Sequence, residues 1–212
     1  MKLFTRLEDI PHPFPGACVT IGNFDGVHLG HQMLFSEVVT RACRRGGTSV
    51  VVTFDPHPLK VLRPGSIRLI STTEQKVELI EKAGIDVLLV IPFDREFAAT
   101  TADEFVDRIL IVTIGVRELV VGYDYAFGRG RKGNIDFLMA RGREKGFPVT
   151  VVEPHYENNM LVSSTKIREL VAEGRMRDVR QLLGRYYQIR GEVQRGRQRG
   201  GRVVGFPTAN LR

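Results

Sequence analysis

A chain of 212 residues, 42% hydrophobic and 26% charged, has room for one sizeable α/β domain and part of a second, and its composition excludes a disordered or fibrous protein. The formal charge of +7 sits at one end: seven arginines against Glu192 give residues 185–212 a charge of +6 and leave +1 for the rest, which argues against a nucleic-acid-binding face on the main domain. Acids within MKLFTRLEDI spoil a secretion signal and no apolar run reaches bilayer-spanning length, so a cytoplasmic protein with no membrane partner is expected.

In chain order, ACVTIG at 17–22 reads as a strand buried on both faces, followed by GNFDGVHLGH and a helix over 30–45. TSVVVTF (48–54) gives a second strand, the segment 73–84 a helix starting after Thr72, and DVLLVIPF (86–93) a third strand. A helix over 101–113 begins at Thr101, RELVVG (117–122) is a strand, a helix over 134–146 begins at Asn134, and PVTVVEP (148–154) is a fifth strand. Two short helices follow at 164–173 and 175–183, split by Gly174. The alternation predicts a parallel sheet with crossover helices. After Gly184 the texture changes: YYQIRGEVQ alternates like a half-buried antiparallel strand, and a Gly/Arg-rich stretch runs into a turn. A domain boundary is expected at 184, with 185–212 too short to bury a core by itself. Cys18 and Cys43 form neither a CxxC nor a disulfide framework and are expected in or near the core of a protein from a reducing compartment.

Ligands of doubly wound sheets sit beyond the carboxyl ends of the strands, where helix N-termini offer free N–H groups to anions. GNFDGVHLGH occupies such a junction and has three readings: a structural turn, a metal site using Asp25, His28 and His31, or a phosphate cradle. Its glycines are spaced four apart with no lysine after them, so it matches neither the P-loop nor the dinucleotide fingerprint. It does contain H-x-G-H. Ser163, Ser164 and Thr165 lie at a helix start with Arg168 one turn on, either an anion site or a serine cap with a solvated arginine. Asn23 and Asp124 each follow a strand end and read as ligand contacts or Asx turns. His57, between two prolines, is a rigid wall or structural, and RGRKG (129–133) a flexible basic clamp or a solvated turn.

H-x-G-H on a first strand-to-helix turn resembles the nucleotidyltransferase superfamily. The longer GNFDGVHLGHQ is similar to bacterial bifunctional FAD synthetases, the riboflavin kinase/FMN adenylyltransferases. TFDPHP (53–58), GYDYAFGRGRKG (122–133), VSSTKIREL (162–170) and GFPTANL (205–211) resemble further motifs of that family, in family order, with Tyr125 where phenylalanine is usual.

The resemblance implies a Rossmann-like nucleotidyltransferase domain over 1–184, followed by the start of a β-barrel riboflavin kinase domain over 185–212. It implies Mg2+-dependent transfer of AMP from ATP to FMN, giving FAD and pyrophosphate. His28, His31 and Arg168 would be catalytic; Gly22, Asn23, Phe24, Asp25, Gly30, Asp124, Ser163, Ser164 and Thr165 would bind ATP. Phe54, Asp55, His57, Pro58, Phe127 and Arg131 would bind the flavin, and Pro207, Thr208 and Asn210 would belong to the kinase motif, the last two toward Mg2+. The histidines would donate hydrogen bonds to phosphate oxygens and, if protonated, add charge. The glycines would admit the nucleotide; Mg2+ would ride mainly on ATP oxygens. With the kinase strands beyond the end of the sequence, the chain itself is expected to lack riboflavin kinase activity. Small-molecule substrates (ATP, FMN, riboflavin) are the expected partners; nucleic acid is disfavoured and a homo-oligomer is left open. The alternatives are a nucleic-acid or flavin-binding module using the arginine-rich tail, and an adenylyltransferase acting on pantetheine phosphate or nicotinate mononucleotide.

Overall fold

The computed structural model describes residues 1–194, 205 and 210–211. Six parallel strands form one sheet in the order β1 (Lys2–Phe4), β4 (Val87–Pro92), β3 (Ser49–Asp55), β2 (Ala17–Ile21), β5 (Val116–Gly122), β6 (Val149–Val152). All five predicted strands are present. The three-residue β1 was not foreseen; it lies at the sheet edge with Leu3 exposed, so its sequence carries little apolar pattern.

The strands are buried on both faces because helices cover both. Val19, Ile21, Val52, Leu89, Leu119 and Val121 pack on one side with Phe105, Leu110, Ile114 and Leu138. The alternate residues Cys18, Val51, Leu88, Val90 and Val120 pack on the other with Phe35, Val38 and Ile80 of α1 (Leu29–Arg44) and α3 (Thr73–Lys82). Each such side chain contributes about 1.5–3 kcal/mol when fully buried, which makes the two layers the main source of stability.

The predicted helix starts hold. Thr72 and Thr101 each form a capping box, with Gln75 and Glu104, and Asn134 accepts from the Phe137 N–H at the start of α6 (Ile135–Lys145). The expected helix over 101–113 is instead one α turn, α5 (Ala102–Glu104), continued by a π-helix over Phe105–Ile114. The wider winding places Phe105, Ile109, Leu110 and Ile114 together on the sheet. A short helix α2 (Pro58–Leu62) and a single turn α4 (Arg95–Ala98) were not predicted. β7 (Tyr156–Glu157) and β8 (Met160–Leu161) form a small hairpin leading to α7 (Ser164–Ala172) and α8 (Met176–Leu183). These two helices share a third cluster with Ile70 and Val162.

Two expectations need correction. Cys43 is exposed, while Cys18 is buried and its thiol is pushed up to about 12, chiefly by burial. The strand expected over YYQIRGEVQ is only β9 (Val193–Gln194), antiparallel to β10 (Asn210–Leu211). Tyr186, Ile189 and Val193 are 68–72% exposed, so among the described residues only Tyr187 of this stretch packs on an apolar cluster. Pro207 and Thr208, with most of the arginine-rich stretch, lie outside the described residues.

Candidate active site

The strand order runs outward from β2 through β3 to β4 on one side and through β5 to β6 on the other, so the winding order reverses between the parallel neighbours β2 and β5. The crevice at such a switch point is where doubly wound sheets hold ligands. Here it opens into a cavity of about 630 Å3. The loop after β2, the turn after β5, the start of α7 and the loop before α2 all line it.

The loop after β2 is strained and heavily tied. Phe24, Gly26 and Val27 all have positive φ (48°, 82° and 40°), a conformation that non-glycine residues hold only when surroundings impose it. Phe24 is 2% exposed and forms the floor, edge-on to His31 and Phe35 at 5.1 and 4.9 Å between ring centroids. A Cβ on Gly22 would lie 2.8 Å from the Phe24 ring, and one on Gly30 would lie 3.3 Å from the His28 ring. Both glycines therefore admit neighbouring side chains, a role that their spacing alone did not reveal.

Asp25 is 4% exposed and its carboxylate is fully engaged within the chain. It accepts from the N–H groups of Ile70 (3.0 Å) and Ser71 (3.2 Å) and pairs with Arg168 at 2.5 Å. Arg168 also donates from Nε to the Arg68 carbonyl at 2.9 Å, so its guanidinium is held at the rim. Ser164 Oγ donates to the Asp25 carbonyl (2.9 Å), and Ser163 caps α7 by accepting from the Lys166 N–H (3.2 Å). Thr165 is exposed on the cavity wall.

His28 is the N-cap of α1: its Nδ1 accepts from the His31 N–H at 3.3 Å. A neutral imidazole with Nδ1 as acceptor carries its proton on Nε2, which is then the donor the ring can offer a ligand. His31 stacks on it with centroids 3.5 Å apart, and its buried Nδ1 has no partner among the described residues. Burial pushes His28 down to about 3, helped by the charges of Arg168 and Arg185; burial also holds His31 well below its usual value, helped by His28 and Lys76. Both rings are thus held in the neutral form at pH 7 in the free protein, where they act as hydrogen-bond donors and not as charges.

Across the cavity lies an aromatic wall. Phe54, Phe93 and Phe97 are mutually packed at 5.7–5.9 Å, and Tyr125 stacks on Phe127 at 5.5 Å. His57 and Pro58 also line the cavity; His57 caps α2 by accepting from the Leu59 N–H (3.1 Å), and burial pushes it down to about 4, within reach of the charges of Asp25, Arg168 and Lys76. Asn23, Asp124 and Arg131 line the cavity too, and mutual hydrogen bonds between Phe127 and Gly133 close the 128–132 loop into a pinched turn. Asp55 does not line it; its carboxylate accepts from Thr73 Oγ1 at 2.8 Å.

Four participants were missed. Lys76 is 7% exposed, and its ammonium donates to Thr53 Oγ1 (3.0 Å), the Phe54 carbonyl (3.1 Å) and the Asn23 carbonyl (3.4 Å), beneath the ends of β2 and β3. Its position one turn before the buried Ile80 was the available signal. His155 lines the rim and Phe93 and Phe97 enlarge the aromatic wall; nothing in their local sequence marks them.

The FAD synthetase family model matches residues 11–166, and the riboflavin kinase model matches residues 183–212. The bifunctional riboflavin kinase/FMN adenylyltransferase of Buchnera aphidicola from Acyrthosiphon pisum is 36% identical over 212 residues, covering 100% of this chain and 67% of that protein. The Escherichia coli K12 protein of the same name is 35% identical over 213 residues, with 100% and 68% covered. A crystal structure from Streptococcus pneumoniae, described as a macrolide-efflux protein, superposes with a TM-score of 0.82 at 31% identity, covering 99% of this chain and 67% of that one. The chain spans about two thirds of the length of these relatives. With the switch-point cavity and its paired histidines, these matches establish that the chain belongs to the FAD synthetase family.

Proposed function

We propose that this chain transfers AMP from ATP to FMN, giving FAD and pyrophosphate, in the cytoplasm. The observation that carries the reading is one cavity with two chemically different sides. One side offers neutral histidine N–H and a helix N-terminus to phosphates; the other offers stacked aromatic faces to a flavin ring.

The FMN phosphate is already ionised near neutral pH, so attack on the α-phosphorus needs no strong base. The barrier lies in holding two polyanions together and stabilising charge on the departing pyrophosphate, a task for positioning and preorganised donors. His28 Nε2–H, fixed by the cap at Nδ1, is such a donor, and His31 supplies the second ring. Ser163, Ser164 and Thr165 place the free N–H groups of α7 at the same anion. Asn23 and Asp124, which line the cavity, are assigned to ATP in this reading, and Phe54, His57, Pro58, Phe127 and Arg131, which line it too, to the flavin. In this reading Asp25 and Phe24 shape the ATP loop from within, and Asp25 holds the Arg168 guanidinium on the cavity wall toward the phosphates.

Among the described residues no three His, Cys, Asp or Glu side chains are grouped to cage a cation, while Asp124 and Glu153 stand on the cavity wall. That donor set suits Mg2+ carried on nucleotide phosphates, where it would neutralise charge between them. The nucleic-acid alternative is weakened because two of the tail arginines are spent within the chain: Arg185 on backbone carbonyls and Arg190 on Glu78.

Incubating the chain with ATP, Mg2+ and one acceptor at a time tests the reading. FMN is expected to give FAD and one pyrophosphate per FAD. Equal or faster pyrophosphate release with pantetheine phosphate or nicotinate mononucleotide overturns the flavin assignment.

A further inference from the structure

Beyond α8 the chain crosses back over the loop after β2. Arg185 donates from one guanidinium nitrogen to the Val27 carbonyl (2.9 Å) and the Leu183 carbonyl (3.2 Å), and from the other to the Gly26 carbonyl (2.5 Å). Gln32, one turn into α1, donates from Nε2 to the same Val27 and Leu183 carbonyls (2.9 and 3.0 Å). The two side chains therefore clasp the two residues that precede His28. The clasped backbone is the strained part of the loop, with Gly26 and the β-branched Val27 both at positive φ. Among the described residues Arg185 is the side chain that joins both of their carbonyls.

From this geometry we propose that Arg185 is a positioning residue for adenylyl transfer, holding the Gly26–Val27 backbone so that His28 starts α1 with its ring aimed into the cavity. The proposal rests on the adenylyltransferase reading above. Its consequence is architectural: Arg185 belongs to the segment that matches the riboflavin kinase model, residues 183–212, so the phosphate side of the cavity is completed from that segment and not from residues 11–166 alone. A guanidinium suits this task because its planar fork meets two carbonyls at fixed angles, which an ammonium cannot.

The experiment uses the full chain and compares Arg185→Ala, Arg185→Lys, Gln32→Met and Arg190→Ala with the parent. FAD formation is measured with ATP and FMN varied separately, and thermal unfolding is recorded for each variant. Arg185→Ala is expected to lower kcat by about 10- to 100-fold, the scale of a misplaced catalytic group, while KM for FMN changes less than about twofold. Guanidinium ion at millimolar concentration restores part of the lost kcat, Arg185→Lys recovers little, and Gln32→Met shows a smaller loss in the same parameter. Arg190→Ala, which breaks an exposed ion pair further along the segment, leaves kcat unchanged. Unaltered kcat in a folded Arg185→Ala protein, or an equal loss in Arg190→Ala, overturns the proposal. If Arg185→Ala does not fold, an unaltered kcat in both Arg185→Lys and Gln32→Met overturns it. A parent chain that makes no FAD refutes the functional reading instead.

Discussion

Asp25 offers the sharpest test of how the ATP loop is built. Replacing it with alanine removes the acceptor for the Ile70 and Ser71 N–H groups and leaves Arg168, whose side chain is 23% exposed, without its carboxylate. Breaking a buried ion pair from one side costs about 3–5 kcal/mol, and the partial exposure of Arg168 places the ionic part near the lower end. Each orphaned N–H adds about 1 kcal/mol or more where water cannot reach it. A total loss of about 5 kcal/mol follows, and for a domain of this size that lowers Tm by roughly 10–20 °C. Urea unfolding and calorimetry of Asp25→Ala and Asp25→Asn measure it; the asparagine, which keeps one acceptor oxygen, is expected to lose about half as much. A loss below about 1 kcal/mol in Asp25→Ala, the worth of a surface pair, would show that the carboxylate is not what ties the loop to residues 70–71 and α7.

Other outcomes can be checked independently. His28→Ala with His31→Ala is expected to cut kcat for FAD formation by at least about 100-fold, the cost of removing one preorganised donor, and unchanged turnover sinks the mechanism. The folded state resists protonating His28, held at about 3, and His57, held at about 4, whereas the unfolded chain takes those protons near 6.5. The unfolded state therefore binds more protons in that window, and stability is lost as pH falls from 6.5 toward 4, by up to about 1.4 kcal/mol per unit per histidine. His28→Asn, which keeps a capping oxygen, should flatten the slope measured by unfolding across that range. Gly22→Ala forces its Cβ into the Phe24 ring and should cost about 1–3 kcal/mol in denaturant titration; full stability would mean that the ring moves aside freely.

Sequence by itself determined the layered fold and the location of the site. Val- and Ile-rich runs must be buried on both faces, capping residues mark where helices start, and H-x-G-H falls on a strand-to-helix junction whatever the tertiary details. Of the residues named from motifs within 1–184, all but Asp55 line one cavity, because motifs at strand ends are gathered by the parallel sheet. What tertiary structure decided was the state and employment of those side chains. Burial, a property of the packed molecule, makes His28 and His31 neutral. Contacts distant in sequence engage Asp25 and Arg168 with each other, place Lys76 beneath the strand ends and bring Arg185 onto the loop after β2. Periodicity and spacing describe each segment against its own neighbours. Hydrogen bonds spanning more than 100 residues between Asp25 and Arg168, or between Gly26 and Arg185, exist only once the sheet has closed.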